Sequence, residues 1–412
     1  MNNYNYRLLP ILAALSVTFG CAQDEETAAD RAHALHEEIL TIDTHDDIPF
    51  NFATESVDPL DANRQVNLNK MREGGLDVAF FIVFVGQTAR TQENYAKASA
   101  DAMIKFDAIH RMTDEMYPEQ IELAHTADDV RRIQESGKLV AVIGIENGYV
   151  IGQNLSLLEK YHELGARYIT LAHGGHNDIA DSATPNAGLG DDVSEHDGIS
   201  DFGAEVIQEM NRLGIMVDVS HVSKQAALEA MALSRAPVIA SHSSTLALAD
   251  HPRNMDDETM MALKERGGVI QTVALGAFVK TQPPEQIQAR DALWTDMGIR
   301  NGREVRGLSG ERLTEYERRM GEINARWPAA NIQDFVDHID YAVNLIGIDH
   351  VGISSDFDGG GGIVGWSDAS ETLNVTLELL RRGYNQDQIK KLWGENLLRV
   401  WKEVERVAND LN

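Results

Sequence analysis

The stretch Leu139-Val140-Ala141-Val142-Ile143-Gly144-Ile145-Glu146 decides how the rest of the chain is read. Its first seven residues are continuously apolar and rich in β-branched side chains, and it stops on a carboxylate. That is the pattern of a parallel strand covered on both faces. Similar runs precede it at Ile39–Asp43 and Val78–Val85. They follow it at Arg167–Ala172, Ile215–Val219, Pro237–Ser241, Gly268–Ala274 and His350–Ser355. Helical patterns lie between them at Asp128–Ser136, Asn154–Leu164, Ser223–Ser234 and Met255–Glu265, and two more close the chain at Ser370–Arg382 and Gln386–Val407. Eight strand–helix units in succession predict one α/β domain over residues 39–412, a (β/α)8 TIM barrel; a doubly wound sheet rarely needs eight such strands. The stretch Phe278–Ala330 exceeds an ordinary connection. Its Pro283-Pro284 pair and the charged helical pattern around Glu311–Arg326 predict an inserted helical excursion or lid.

The composition excludes several classes. The chain has 412 residues, 43% of them hydrophobic, and its 65 acidic against 36 basic residues leave a net charge of −29. A sizeable core is within reach, and nucleic acid or an anionic membrane surface would repel a chain of this sign. Cys21 is the only cysteine, so intramolecular disulfides and thiolate zinc sites are ruled out. Residues 1–21 read as an export signal: Arg7 supplies the positive start, Leu8–Phe19 the short apolar run, and Gly20-Cys21 resembles the lipobox of bacterial lipoproteins, whose cysteine is acylated. Ordinary cleavage nearby is the competing reading. Residues 22–38 form a linker and helix before the barrel. The expectation is therefore a protein of the bacterial envelope or periplasm, with a possible lipid anchor at Cys21.

Polar residues gather at the ends of the expected strands. The first runs into Asp43-Thr44-His45-Asp46-Asp47; later ones end in Glu146, His173, Ser220-His221, Ser241-His242-Ser243 and Asp356-Phe357-Asp358. On a (β/α)8 barrel the C-terminal strand ends converge on one face, where active sites are built. Imidazoles and carboxylates without a thiolate suit zinc, and less often manganese, cobalt or iron. His45 and Asp47, at i and i+2, point to one side and can hold one ion, and His221 with His242 a second. Glu146 is the carboxylate placed to bridge them. Two such ions share a water that ionises near neutral pH, which suits hydrolysis without a Ser or Cys nucleophile. Taken singly, a strand-end histidine is more often a hydrogen-bonded structural residue and an Asp more often a cap; joint placement carries the argument. His176 is ambiguous, and the remaining histidines, His36 and His338 among them, read as surface or supporting residues. Gly359–Gly362 lacks the Lys-Ser/Thr of a phosphate loop and reads as a flexible rim. Asp356-x-Asp358-Gly359 falls short of a calcium loop. A glycosidase pair of Asp356 with Glu146 would leave the histidines unexplained.

Eight segments, in order, resemble the membrane (renal) dipeptidase family, peptidase family M19: "DTHDDIPF" (43–50), "AVIGIENG" (141–148), "YITLAHGGHNDIADS" (168–182), "MVDVSH" (216–221), "VIASHSS" (238–244), "HPRNMDD" (251–257), "VGISSDFDGG" (351–360) and "GENLLRVW" (394–401). The resemblance implies a binuclear zinc dipeptidase on a (β/α)8 barrel of the metal-dependent hydrolase type, with two Zn(II) per chain. His45 and Asp47 would bind one ion, His221 and His242 the other, and Glu146 both. His173 would contact the substrate carbonyl, Arg253 would grip the terminal carboxylate, and Asp356 would handle the proton passed to the leaving amine. Thr44 and Asn147 stand where the family commonly has glycine. The implied partners are small dipeptides, including C-terminal D-residues, with a homodimer open and no nucleic acid. Two alternatives remain: an amidohydrolase of the same metal type acting on another small carboxylate-bearing amide or lactam, and a binding protein that has kept the barrel without catalysis.

Overall fold

The computed structural model describes residues 20–300, 304–305 and 307–412. Residues 1–19, most of the expected export signal, lie outside that range, as does the side chain of Cys21. Nine parallel strands follow one another along the chain: β1 (Ile42–Asp47), β2 (Val78–Phe84), β3 (Ile121–Leu123), β4 (Leu139–Glu146), β5 (Ala166–Thr170), β6 (Met216–Asp218), β7 (Ile239–Ser243), β8 (Val269–Val273) and β9 (Val351–Ser354). Eight of them form the ring β1-β2-β4-β5-β6-β7-β8-β9. The Asp47 amide donates to the Phe357 carbonyl at 2.9 Å, just past the end of β9, and closes the barrel. The eight expected strands all exist. β3 is the addition: it pairs with the first residues of β4 (Ile121 against Leu139), below the segment where β5 pairs (Ile145 against Ile169). Three residues are too few to carry a period.

The alternation of strand side chains separates two apolar layers. Val78, Phe80 and Ile82 of β2 join Val140 and Val142 of β4, Tyr168, Met216, Ile239 and Val269 in the barrel interior. Their neighbours Ala79, Phe81 and Val83, with Ala141, Ile143 and Ile145, pack outward against the helices. The last helix, Asn396–Leu411, sends Leu397 and Trp401 into the interior cluster, and the Trp401 ring lies 6.2 Å from that of Phe80. The expected closing helix Gln386–Val407 is present as Gln386–Lys390 and Asn396–Leu411, separated by a π turn at Lys391–Glu395.

β1 departs from expectation. Ile39 and Leu40 precede it, and it runs through the polar stretch to Asp47. A strand this polar persists because its side chains are hydrogen-bonded inside the barrel. Asp43 Oδ1 accepts from the Ser355 amide at 2.9 Å, and Thr44 Oγ1 donates to the Ser241 carbonyl at 2.6 Å. The insertion is helical, as expected: Pro284–Met297 and Gly310–Arg326 form a pair held by Arg319 on Asp296 (2.6 Å) and by Arg312 on the Met297 carbonyl (2.8 Å).

Because Trp401 fills the barrel interior, Trp401→Ala should lower the unfolding free energy by about 3–5 kcal/mol, read from denaturant midpoints. A loss below about 1 kcal/mol would show that the helix does not support the barrel there.

Candidate metal centre

The strand ends place the candidate residues around one oxygen. The Nε2 atoms of His221, His173, His242 and His45 lie 3.0, 3.4, 3.4 and 3.6 Å from Glu146 Oε1. Asp47 Oδ2 is 3.9 Å from His45 Nε2, and Asp356 completes a group with these two. Three donor groups of metal-binding geometry thus overlap: His45-Glu146-His242, Glu146-His173-His221 and His45-Asp47-Asp356. Every ligand candidate read from the sequence is in this constellation. His173 is there too, and at 26% side-chain exposure it is the most open of the four histidines.

Hydrogen bonds behind the rings assign two of the tautomers. The Tyr168 hydroxyl donates to the Thr44 carbonyl at 3.0 Å, so its oxygen accepts Nδ1–H of His45 at 2.9 Å. His45 Nε2 then points at the carboxylate, buried and without a hydrogen-bond partner. Ser241 Oγ donates to Asp218 Oδ2 at 2.7 Å and so accepts Nδ1–H of His242 at 2.8 Å. Asp218 is itself fixed by Thr170 Oγ1 (2.5 Å) and the Ser241 amide (2.8 Å). This is the arrangement that orients an imidazole toward a metal through its other nitrogen. The Nε2 atoms of His221 and His242 lie 2.8 Å apart, and two neutral imidazoles aimed at each other need a proton or a cation between them.

Burial opposes charge on Glu146, but the His173 and His45 imidazoles prevail and hold its carboxyl well below the usual range. His45 is pulled down by burial and pushed up by Glu146, ending at about 9. Burial leads in holding His221 and His242 well below the ordinary imidazole value, the neutral form a metal requires. It also raises Asp356 well above the ordinary carboxylate, with His45 opposing.

The backbone is bent to make these positions. His221 (φ 69°) and Asp356 (φ 57°) occupy the left-handed region, which only a firm surround imposes on such residues. Asn147 (φ 82°) also lies at positive φ, accounting for a position where glycine is common. Its Nδ2 holds the Val85 carbonyl at 3.1 Å. The glycine run is not a flexible rim. The amides of Gly359, Gly360 and Gly361 converge on the Asp356 carbonyl (3.2, 3.1 and 2.7 Å), and a Cβ on Gly359 would strike both Asp356 and Asp47.

Arg253 is 5% exposed; its Nη2 donates to the His242 carbonyl at 3.1 Å, and its Nε is buried without a partner. It lines a 160 Å³ cavity together with His221. His176 is outside the constellation. Its Nδ1 accepts from the Ser182 amide and its Nε2 donates to the Asp192 carbonyl, both at 3.0 Å, and Ser182 Oγ in turn donates to the His173 carbonyl. It therefore pins the loop that carries His173. His36 and His338, expected at the surface or in support, are buried inside the fold: His36 joins Thr376 to the Gly74 carbonyl, and His338 joins Thr245 to the Val279 carbonyl. Tyr168, Asp218 and Ser241 were not singled out from the sequence as supports, although each lay within a quoted motif.

Residues 29–412 match the family model of the membrane dipeptidases, peptidase family M19. The chain is 33% identical over 348 residues to dipeptidase tcpJ of Claviceps purpurea, covering 83% of this chain and 70% of that one. It is 33% identical over 352 residues to dipeptidase aclJ of Aspergillus oryzae, covering 84% and 72%. Among solved structures, the probable dipeptidase PvdM from Pseudomonas aeruginosa is similar at 35% identity with a TM-score of 0.82, over 93% of this chain and 100% of that one.

Tyr168→Phe removes the acceptor of His45 Nδ1–H and should weaken metal affinity about 10–100-fold, measured by competition with a chromogenic chelator. Gly144→Ala should act in the same direction, because its Cβ would collide with the Tyr168 ring. Unchanged affinity in both variants would show that Tyr168 does not orient His45.

Proposed function

The chain belongs to the membrane dipeptidase family and is a metallodipeptidase, and from that premise we propose that it is an exported enzyme that hydrolyses dipeptides with two zinc ions. The observation that carries the proposal is the set of four imidazole nitrogens around Glu146 Oε1, two of them turned there by hydrogen bonds at Nδ1. The unpartnered Nε2 of His45 is the test of fit: a buried nitrogen facing a carboxylate across 3.6 Å calls for a proton or a metal cation between them. His45 and Asp47 would hold one ion, His221 and His242 the other, with Glu146 shared. When bound, two such ions polarise a carbonyl oxygen and lower the pKa of water.

The chain's own residues supply the rest. Arg253 offers a buried Nε–H to the substrate's terminal carboxylate, and a guanidinium suits that planar group. His173, the most open of the four rings, faces the scissile carbonyl and steadies charge developing on its oxygen. Asp356, grouped with His45 and Asp47, is placed to take the proton of the attacking water and pass it to the departing amine. The acceptance of C-terminal D-residues, and of amides or lactams beyond dipeptides, belongs to the same proposal. For location, Arg7, the apolar run Leu8–Phe19 and Gly20-Cys21 support export with acylation at Cys21; among the described residues no helix is long and apolar enough to cross a membrane.

The test pairs metal analysis with hydrolysis of L-L and L-D dipeptides by the chain from Cys21 onward, before and after chelation and zinc return. The expected result is two metals per chain and cleavage that disappears and returns with zinc; Glu146→Gln should lose both. Two metals without dipeptide cleavage would move the substrate to other amides and lactams. No bound metal and no zinc rescue would overturn the assignment. In an exporting host, Cys21→Ala should release the protein from the membrane fraction; unchanged fractionation would overturn the anchor.

A further inference from the structure

Two buried nitrogens share one cavity beside the metal centre. His221 Nδ1 and Arg253 Nε are buried without a hydrogen-bond partner, and both side chains stand in the wall of the 160 Å³ cavity between the ends of β6 and β7. His221 Nε2 lies 3.0 Å from Glu146 Oε1, so the other ring nitrogen points away from the centre. His45 and His242 each have a hydroxyl acceptor at Nδ1, from Tyr168 and Ser241, whereas the same atom of His221 meets none. With a cation on Nε2, the one proton of a neutral imidazole sits on Nδ1 and makes that atom a donor. Arg253 Nε–H is a donor as well, its Nη2 being committed to the His242 carbonyl at 3.1 Å. Two orphaned donors on one cavity call for an acceptor that the chain itself does not supply.

The rest of the wall selects the acceptor. The charged rim is already matched: Lys224 Nζ bridges Asp256 and Glu258, both at 2.6 Å, and Asp256 Oδ1 also accepts from the Thr259 amide and hydroxyl. Asn254 Nδ2 is spent on the Ala249 and Phe278 carbonyls. Most of what remains is hydrocarbon, from Val219, Val222, Ala227, Leu246, Pro252 and Met255. A pair of N–H groups suits an ionised carboxylate, whose oxygens only accept, and the apolar wall suits a side chain attached to it. A space of 160 Å³ limits that side chain to a compact one. Met255 sets its depth, because the Met255 backbone is pinned: its amide donates to the Ser244 carbonyl and its carbonyl accepts from the Leu246 amide, each at 2.9 Å.

We propose that this cavity is the subsite for the C-terminal residue of the substrate: the carboxylate accepts from Arg253 Nε–H and His221 Nδ1–H together, and the side chain, compact and apolar, lies against Met255. The proposal rests on the dipeptidase reading above and adds to it a second carboxylate donor and a specificity-determining residue. It also couples substrate to metal. An anion on Nδ1–H makes the imidazole a stronger ligand through Nε2, so carboxylate and metal each tighten the binding of the other.

Zinc affinity, read by competition with a chromogenic chelator, is measured alone, with isocaproate and with isocaproamide. Isocaproate has the carboxylate and side chain of leucine without its amine, and isocaproamide is its neutral counterpart. The acid should tighten zinc binding about tenfold and the amide should leave it unchanged. In Met255→Trp, whose larger side chain fills the cavity, the tightening should vanish. In parallel, kcat and KM are measured for Ala-Gly, Ala-Leu and Ala-Phe with the metal-loaded wild type, Met255→Trp and Met255→Ala. The ratio of kcat/KM for Ala-Leu over Ala-Gly should fall about tenfold or more in Met255→Trp, and that for Ala-Phe over Ala-Leu should rise about tenfold in Met255→Ala. Equal zinc affinities with acid and amide, tightening that survives in Met255→Trp, or ratios unchanged in both variants would overturn the subsite and leave the dipeptidase reading intact. Failure of the wild type to cleave any of the three dipeptides would overturn that reading and the subsite with it.

Discussion

One buried carboxylate organises the molecule. Glu146 is the last residue of a strand whose every position is buried, and it is surrounded by imidazoles from β1, β7 and the segments after β5 and β6. A charge at that depth is tolerated only where other groups answer it closely. The four rings do so, and each must be aimed. That requirement explains the polar layer beneath the centre: Tyr168 turns His45, Ser241 and Asp218 turn His242, and Ser182 with His176 fixes the loop bearing His173. It also explains why β1 is a strand of polar residues, since His45 and Asp47 must approach Glu146 from a rigid element.

The same constraint shapes the backbone around the mouth. Left-handed residues at His221 and Asp356, and three glycine amides converging on the Asp356 carbonyl, hold side chains where an ordinary turn would not put them. Such conformations cost free energy that the surrounding hydrogen bonds offset. They mark the loops at the C-terminal strand ends as the part of the barrel bent to serve the site, while the interior cluster below, from Val78 to Trp401, is ordinary close packing.

Much of this was legible in the sequence, for a physical reason. Parallel strands covered on both faces are continuous apolar runs, so eight of nine could be seen, and a chemically active residue at a strand end interrupts such a run visibly. β3 was hidden because three residues hold no period, and β1 was misplaced because a polar strand reads as a loop until its partners are known. Tyr168 was hidden for a different reason. It acts on His45 across 123 positions of sequence. The glycine run was misread because close packing and flexibility use the same residue.

The placement of charge completes the argument. A chain of net charge −29 repels anions at long range, and a small zwitterion feels little of that field. Beyond about 8–10 Å in physiological salt the field is screened, whereas groups inside a closed mouth interact at short range and low dielectric. Arg253 is buried beside that mouth, with Nη2 on the His242 carbonyl. A cation placed so deeply contributes little to long-range steering. On the dipeptidase proposal, discrimination among substrates rests on contacts made inside the mouth and not on the rate of encounter.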